Sequence, residues 1–316
     1  MAIAKEFDFN LKGRDFISLH DFTGEEINYL LGVAENLKAK QKAGKPQPLL
    51  KGKTLGMIFT KSSTRTRVSF EVAMLQLGGS SLFLNERDIQ LGRGETIADT
   101  ARVLSRYLDG IMIRTYKHED VLELAEYADI PIINGLTDLL HPCQVLADLL
   151  TVKEKKGTLA GLKMVYVGDG NNMAHSLMFG GAKMGMHVVI ASPEGYKPDG
   201  KIVELAKQDA AVYGGKIDVV SNPMAAAIGA DIIYTDVWAS MGQEAEHAER
   251  LKAFQGYQVN QAMVNLAQKD VMVMHCLPAH RGEEISAEVL EGPNSVVFDE
   301  AENRLHAQKA VLALVM

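Results

Sequence analysis

Short runs of mostly apolar residues alternate with longer segments whose apolar positions recur at helical spacing, and this alternation continues along nearly the whole chain. The strand-like runs are 54–60 (TLGMIFT), 80–85 (SSLFLN), 110–116 (GIMIRTY) and 131–136 (PIINGL), then 162–169 (LKMVYVGD), 187–193 (HVVIASP), 216–222 (KIDVVSN), 231–238 (DIIYTDVW), 271–279 (VMVMHCLPA) and 295–301 (SVVFDEA). Between them lie helical patterns, among them 24–42, a helix beginning near Val68 and ending at Gly78-Gly79, a long one over 141–156, and a last one over 302–316. Strands whose runs are continuous rather than alternating, separated by helices, predict parallel sheets built from βαβ units. The fold class expected is therefore α/β, with two doubly wound parallel-sheet domains and the active site in the cleft between them. The boundary is set near residue 150, giving domains 1–150 and 151–316, with the last helix free to pack back on the first domain.

In such sheets ligands bind beyond the carboxyl ends of the strands. Polar residues stand where strands stop at 61–67, Arg114-Thr115-Tyr116, His141-Pro142-Cys143-Gln144, Gly168 to Asn172, Asp236 to Gly242 and His275 to Pro278. The first of these, Lys61-Ser62-Ser63-Thr64-Arg65-Thr66-Arg67, places hydroxyls, cationic side chains and the unpaired N–H groups of a helix start together. That combination suits a single phosphate or carboxylate. The glycines and the Gly-Lys-Ser/Thr ending of a nucleotide P-loop are missing. A plain capped helix with solvated arginines is the alternative reading of the same residues.

Length and composition narrow the field. The 316 residues suit two domains. A net charge of −7, with signs interspersed, argues against nucleic acid or an anionic membrane surface as partner, and makes the basic run 61–67 a local reversal of sign that suggests an anionic ligand. Two distant cysteines, Cys143 and Cys276, offer neither zinc spacing nor a disulfide framework, and point to a reducing cytoplasm. No signal peptide and no run of membrane-spanning length is expected.

Gly168-Asp169-Gly170-Asn171-Asn172-Met173 resembles half of a dinucleotide fingerprint, yet the third glycine is Met173 and no acidic residue closes the next strand. A tight strand-to-helix turn with Asn171 and Asn172 at its rim explains it better. Asp236 ends an apolar strand, with Ser240-Met241-Gly242 following, so a carboxylate that can hold an ammonium group sits beside a loop able to close; helix capping is the alternative. His141 before a helix-start proline can stay neutral and donate to an oxyanion. Cys276 reads either as a buried thiol or as an orienting group or nucleophile; His275 lies on the opposite strand face, against a Cys-His dyad. Neither a Gly-x-Ser-x-Gly elbow nor a His-Glu-x-x-His helix is present.

Ser63-Thr64-Arg65-Thr66 and His141-Pro142-Cys143-Gln144 resemble the carbamoyl phosphate motifs of the aspartate/ornithine carbamoyltransferases, while Asp236 to Gly242 and His275-Cys276-Leu277-Pro278 resemble the ornithine branch. The resemblance runs from Phe16 to the C-terminus. It implies transfer of the carbamoyl group of carbamoyl phosphate to the δ-amine of ornithine, giving citrulline and phosphate in arginine metabolism, in either the biosynthetic or the degradative direction. It implies that the first domain binds carbamoyl phosphate through Ser63, Thr64, Arg65, Thr66, Gln90, Arg114, His141 and Gln144, with Cys276, Leu277 and Arg304 completing the set, and that Gln90 serves a neighbouring subunit. The second would bind ornithine through Asn172, Asp236, Ser240 and Met241. Asp236, Cys276, Arg114 and His141 carry the catalytic roles in this reading. No metal, nucleotide or redox cofactor is implied; a homotrimer or a multiple of one is. Aspartate as acceptor would want more cations than Asp236, Ser240 and Met241 supply. Putrescine ranks second, lacking the groups the Ser-Met-Gly loop is expected to read, while a non-catalytic anion-binding or regulatory protein on the same fold would keep the phosphate cradle with no reason to keep the Asp236 and Cys276 ends together.

Overall fold

The computed structural model describes residues 9–239 and 244–316. In chain order its elements are α1 (Gly24–Lys42), β1 (Thr54–Phe59), α2 (Thr64–Gln76), β2 (Ser80–Asn85), α3 (Ile97–Leu104), β3 (Gly110–Arg114), α4 (His118–Tyr127), β4 (Ile132–Leu136), α5 (Pro142–Lys156), β5 (Lys163–Val167), α6 (Asn172–Lys183), β6 (His187–Ala191), α7 (Gly200–Tyr213), β7 (Lys216–Val220), α8 (Pro223–Ala227), β8 (Ile232–Thr235), α9 (His247–Ala253), α10 (Gln261–Val264), β9 (Met272–His275), α11 (Ala287–Leu290) and α12 (Val297–Val315). They form two compact units: residues 1–150 with 302–316, and residues 151–301. The divisions fall inside α5 and inside α12.

The first unit holds a parallel sheet of order β2-β1-β3-β4. Its inner strands are buried along their length, as the unbroken apolar runs require when helices cover both faces. Strand β2, at one edge, is half-exposed. Strand β4 ends the other edge yet is fully buried, because Phe16 bridges Ile133: Phe16 N–H donates to the Ile132 carbonyl and Asn134 N–H to that of Phe16. The unpaired strand edge is thereby covered. Helix α1 runs over the expected 24–42 and opens on a capping box, with Thr23 Oγ1 accepting from Glu26 N–H and Glu26 Oε2 accepting from Thr23 N–H.

The second unit holds a five-stranded parallel sheet of order β7-β6-β5-β8-β9. A sixth strand at 295–301 does not form. Ser295 makes one isolated bridge to Val273, and α12 begins at Val297 with Asp299 and Glu300 in its first turn, where carboxylates favour a helix start. The last helix thus starts five residues before 302. Similarly α2 starts at Thr64 and not near Val68, because Ser63 caps it and the polar residues 64–67 form its first turn, where no apolar periodicity announces them.

The direction of strand succession reverses between β1 and β3 in one sheet and between β5 and β8 in the other. These switch points select the turns after Phe59, Arg114, Val167 and Thr235 as the places where a crevice opens.

Gly170, in the turn after β5, is held by the neighbouring backbone of residues 196–198. A Cβ there would lie 2.1 Å from the Pro198 nitrogen and 2.3 Å from the Lys197 carbonyl carbon, and Gly170 N–H already donates to the Tyr196 carbonyl. The close neighbour that demands the glycine is the chain itself. Gly170→Ala is therefore expected to lower unfolding free energy by about 1–3 kcal/mol, the usual range for overpacking against backbone. A urea midpoint unchanged from that of the parent would overturn this assignment.

Candidate active site

In the first unit the cationic residues gather at the ends of β1 and β3. Ser63 caps α2: its Oγ accepts from Thr66 N–H at 3.2 Å and lies 3.1 Å from Thr66 Oγ1. Arg304, on α12, donates from Nη2 to the same Thr66 Oγ1 at 2.8 Å, so the completely buried Thr66 hydroxyl joins the helix start to a residue 238 positions later. Arg65 lies in the first helical turn, half-buried. Arg114, the last residue of β3, is buried, and its carbonyl accepts from Thr60 N–H at 3.0 Å. Lys61 is buried as well; its Nζ lies 3.1 Å from Asp138 Oδ1 and 4.8 Å from the Tyr116 ring centre.

His141, buried immediately before α5, has its imidazole pushed well below its ordinary range, first by burial and then by Arg304, Arg114, Lys61 and Arg65. The ring is held neutral among cations, a state in which it can donate a hydrogen bond without adding charge. Gln144, two residues into the helix after Pro142, donates from Nε2 to Asp148 Oδ1 at 2.8 Å. Cys143 beside it is a core thiol: its Sγ donates to the Asn134 carbonyl, and burial pushes it up to about 12.

The second unit places an acid and a thiol together. Asp236, directly after β8, accepts on Oδ1 from Cys276 Sγ at 3.1 Å and from Val237 N–H at 2.8 Å, and on Oδ2 from Asn171 Nδ2 at 3.2 Å. Asn171 caps α6, its Oδ1 accepting from Met173 N–H, Ala174 N–H and the Tyr166 hydroxyl. Its amide orientation is thus set from one side, which leaves Nδ2 for Asp236. Asn172, the first helical residue, is buried beside it.

Cys276 and Leu277 follow β9 in an unusual backbone. Leu277 has φ of +57°, where an L side chain is strained, and its N–H donates to His275 Nδ1 at 2.9 Å. With Nδ1 accepting, the ring proton of His275 sits on Nε2, facing Glu284 Oε1 at 3.0 Å. Glu300 Oε2 accepts from His275 N–H, and its Oε1 from the Tyr234 hydroxyl. His275 is therefore completely buried, with its ring held by Glu284 and by the Leu277 N–H, and it acts on the backbone of the turn that carries the thiol.

Of the residues singled out in the sequence, Ser63, Thr66 and Arg304 are joined by hydrogen bonds, Arg65, Arg114 and His141 by charge, and Asp236 and Cys276 by direct contact. Thr64 stands exposed in the first turn of α2. Gln90, itself exposed, begins a one-turn 3-10 helix, Gln90–Arg93, apart from these contacts among the described residues. Ser240, Met241 and Gly242 lie outside the described residues. Arg250 was not anticipated: from α9 its Nη1 reaches Asp169 Oδ2 and the Trp238 carbonyl, both at 2.8 Å, tying the turn after β5 to the turn after β8. Burial raises the Asp169 carboxyl, and Arg250 opposes that shift. A lone arginine in the polar segment His247–Ala253 carries no local sign of such a contact.

Two family models match in succession: the aspartate/ornithine carbamoyltransferase carbamoyl-P binding domain over residues 14–154, and the Asp/Orn binding domain of the same family over residues 160–315. The ornithine carbamoyltransferase of Symbiobacterium thermophilum is 64% identical over 306 residues, covering 97% of this chain and 99% of that protein. The anabolic ornithine carbamoyltransferase of Pyrococcus furiosus is 62% identical over 307 residues, covering 97% of this chain and 98% of its own length. Among solved structures, the ornithine carbamoyltransferase of Pyrococcus furiosus superposes with a TM-score of 0.95 at 62% identity, covering 98% of each chain. That of Thermus thermophilus gives 0.86 at 41% identity, covering 96% of this chain and 99% of that one. A cation cluster around a neutral histidine, an aspartate-thiol pair, and full-length likeness in sequence and fold agree: the chain belongs to the aspartate/ornithine carbamoyltransferase family.

Proposed function

We propose that this chain transfers the carbamoyl group of carbamoyl phosphate to the δ-amine of L-ornithine, releasing citrulline and phosphate, as a step of arginine biosynthesis. The Cys276 to Asp236 contact carries the choice of acceptor. An aspartate acceptor brings two carboxylates and would want cations where this unit offers an acid and a thiol. A mere anion binder would have no use for that pair.

The chemistry sets the roles. An alkyl ammonium with a pKa of about 10.4 is only about one part in a thousand free amine near neutral pH, so proton removal must be assisted. Asp236, accepting from Cys276 and Asn171, holds the ammonium and takes up its proton, with Cys276 orienting the carboxylate. Asn172, Ser240 and Met241 read the amino-acid end of ornithine. Attack on the carbonyl carbon forms the C–N bond and pushes charge onto the carbonyl oxygen, where Arg114 and neutral His141 donate, with Gln144 fixing the carbamoyl amide. The C–O bond to phosphate then breaks as the second proton of the attacking nitrogen passes to the departing phosphate oxygen, and hydrogen phosphate is left among Ser63, Thr64, Arg65 and Thr66, with Arg304 bracing Thr66. Cys276 and Leu277 supply the remaining contacts to carbamoyl phosphate through the strained backbone at Leu277. No metal or organic cofactor enters these steps.

Gln90 completes a neighbouring subunit's site in a homotrimer or a multiple of it. Exposed apolar side chains on α2 and β2, Val68, Leu75 and Leu82, support an interface between copies. A cytoplasmic location is supported by Cys143 and Cys276 both being free thiols; among the described residues no helix is long and apolar enough to cross a membrane.

Steady-state product formation with ornithine, putrescine and aspartate tests the assignment. Ornithine is expected to exceed both in kcat/KM by about 10²-fold or more, since binding groups built for the α-amino acid stand unpaired when putrescine binds. Equal kcat/KM for putrescine or aspartate would overturn the acceptor named here.

A further inference from the structure

The segment His280-Arg281-Gly282, which follows the thiol-bearing turn, has no part in carbamoyl transfer as described above. It forms a tight turn with Glu283: Glu283 N–H donates to the His280 carbonyl at 3.0 Å, and Gly282 at the third position has φ of +94°, a conformation glycine adopts freely. The turn brings His280 Nδ1 to 3.7 Å from Glu283 Oε2. One oxygen of the next residue, Glu284, joins them, so that a ligand atom from each of His280, Glu283 and Glu284 lies within 4.8 Å of the other two.

Histidine-glutamate pairs at a surface commonly need no ion, and Glu284 is what sets this group apart. Its side chain is completely buried. Oε1 accepts from His280 N–H at 2.6 Å and from His275 Nε2, while Oε2 is buried with no hydrogen-bond donor. A buried carboxyl oxygen left without a donor is a costly arrangement, and a bound cation is a partner that removes the cost. Nor does Arg281 supply that charge, since its Nη2 is paired with Glu291 Oε1 at 2.5 Å.

We propose that His280, Glu283 and Glu284 form a binding site for a divalent transition-metal cation of the zinc class. Metal-ligand bonds of about 2.0–2.2 Å separate neighbouring ligand atoms by roughly 3–4 Å, which the His280 to Glu283 distance already meets. One imidazole and two carboxylates suit Zn²⁺, Co²⁺ or Ni²⁺ better than Mg²⁺ or Ca²⁺, which prefer oxygen alone. His247 is the candidate fourth ligand, because its Nε2 lies 3.1 Å from Glu283 Oε2 and its side chain is exposed enough to turn. Because Glu284 also holds His275, the ion would sit two hydrogen bonds from Leu277 N–H and the turn carrying Cys276.

A competing group exists at Asp236, His275 and Cys276, whose ligand atoms also lie within 4.8 Å of one another. The test separates the two. The full-length protein is titrated with Zn²⁺ by calorimetry and with Co²⁺ by visible absorption, alongside His280→Ala, Glu283→Gln and Cys276→Ala. Expected are one ion per chain, a cobalt spectrum without a thiolate charge-transfer band, affinity at least ~10-fold weaker in His280→Ala and Glu283→Gln, and affinity unchanged in Cys276→Ala. Zn²⁺ should raise the thermal midpoint of the parent and of Cys276→Ala but not of the other two, which also reports that those variants are folded. The proposal is overturned if the parent binds neither ion, if His280→Ala and Glu283→Gln bind as the parent does, or if a thiolate band appears and Cys276→Ala alone loses the ion.

Discussion

Asp236→Asn is expected to lower kcat/KM for ornithine by about 10³-fold or more while a phosphonate analogue of carbamoyl phosphate binds within a few-fold of the parent. Two losses combine. The carboxylate charge that attracts the ammonium and accepts its proton disappears, and general-base assistance alone is commonly worth 10²–10⁴-fold. The second loss is geometric. Oδ1 accepts from Cys276 Sγ and Val237 N–H and Oδ2 from Asn171 Nδ2, so both oxygens face donors. A carboxamide must aim its NH₂ at one of those donors. Asn171 cannot turn to relieve the conflict, because its Oδ1 is committed to Met173 N–H and to the Tyr166 hydroxyl. The phosphonate arm serves as the control, since every residue given a phosphate-holding role at the helix start belongs to the other unit. Retention of ornithine turnover within tenfold of the parent would remove Asp236 from the acceptor site.

The parts of this fold that were legible in the sequence share one physical cause, burial on both faces of a parallel sheet. Strands such as β3 and β4 bury every residue and so read as unbroken apolar runs. Helix α1 was legible at both ends because Thr23 and Glu26 form a capping box and lysines close it. What misled was apolar content without strand burial: 296–298 reads as a strand, and only tertiary placement and the acidic first turn make it the start of α12. The start of α2 was hidden for the opposite reason, a first turn built for polar contact. In the site, residues at strand ends stood out because polar groups there interrupt apolar runs, which is how Asp236 and Arg114 were found. Arg304, Arg250 and Glu284 interrupt nothing. Arg304 and Arg250 become site residues through partners 238 and 81 positions away, Thr66 and Asp169, and Glu284 through His275, nine positions before it. Resemblance pointed to Arg304, but no local pattern points to such pairs. The acceptor-side amide shows the same limit at one-residue scale: Asn172 matched by motif, whereas Asn171 holds Asp236 because the helix begins one residue after it.

Arg65→Ala is the second large effect, and its form is as informative as its size. Arg65 stands in the first turn of α2, where the helix dipole and the Ser63 cap already favour an anion. Removing a guanidinium that meets a dianionic phosphate should cost kcat/KM for carbamoyl phosphate about 10²–10³-fold, or roughly 3–4 kcal/mol, in both KM and kcat, because the phosphate gains charge as it leaves. Arg65→Lys should recover part of the binding but not the two-pronged contact. A second route for the effect exists through His141, since Arg65 is among the cations that hold its imidazole down. Loss of that cation moves the imidazole back toward its ordinary range, so kcat would fall at the acid end of the profile if His141 became charged. Burial, however, is the leading cause of the shift, and Arg304, Arg114 and Lys61 remain beside the ring. His141 should therefore stay neutral, and the pH dependence of kcat in Arg65→Ala should keep the parent's shape while its height drops. A new acid limb in that profile would mean that Arg65 acts chiefly by keeping His141 neutral, whereas an unchanged KM and kcat for carbamoyl phosphate would remove Arg65 from the anion site altogether.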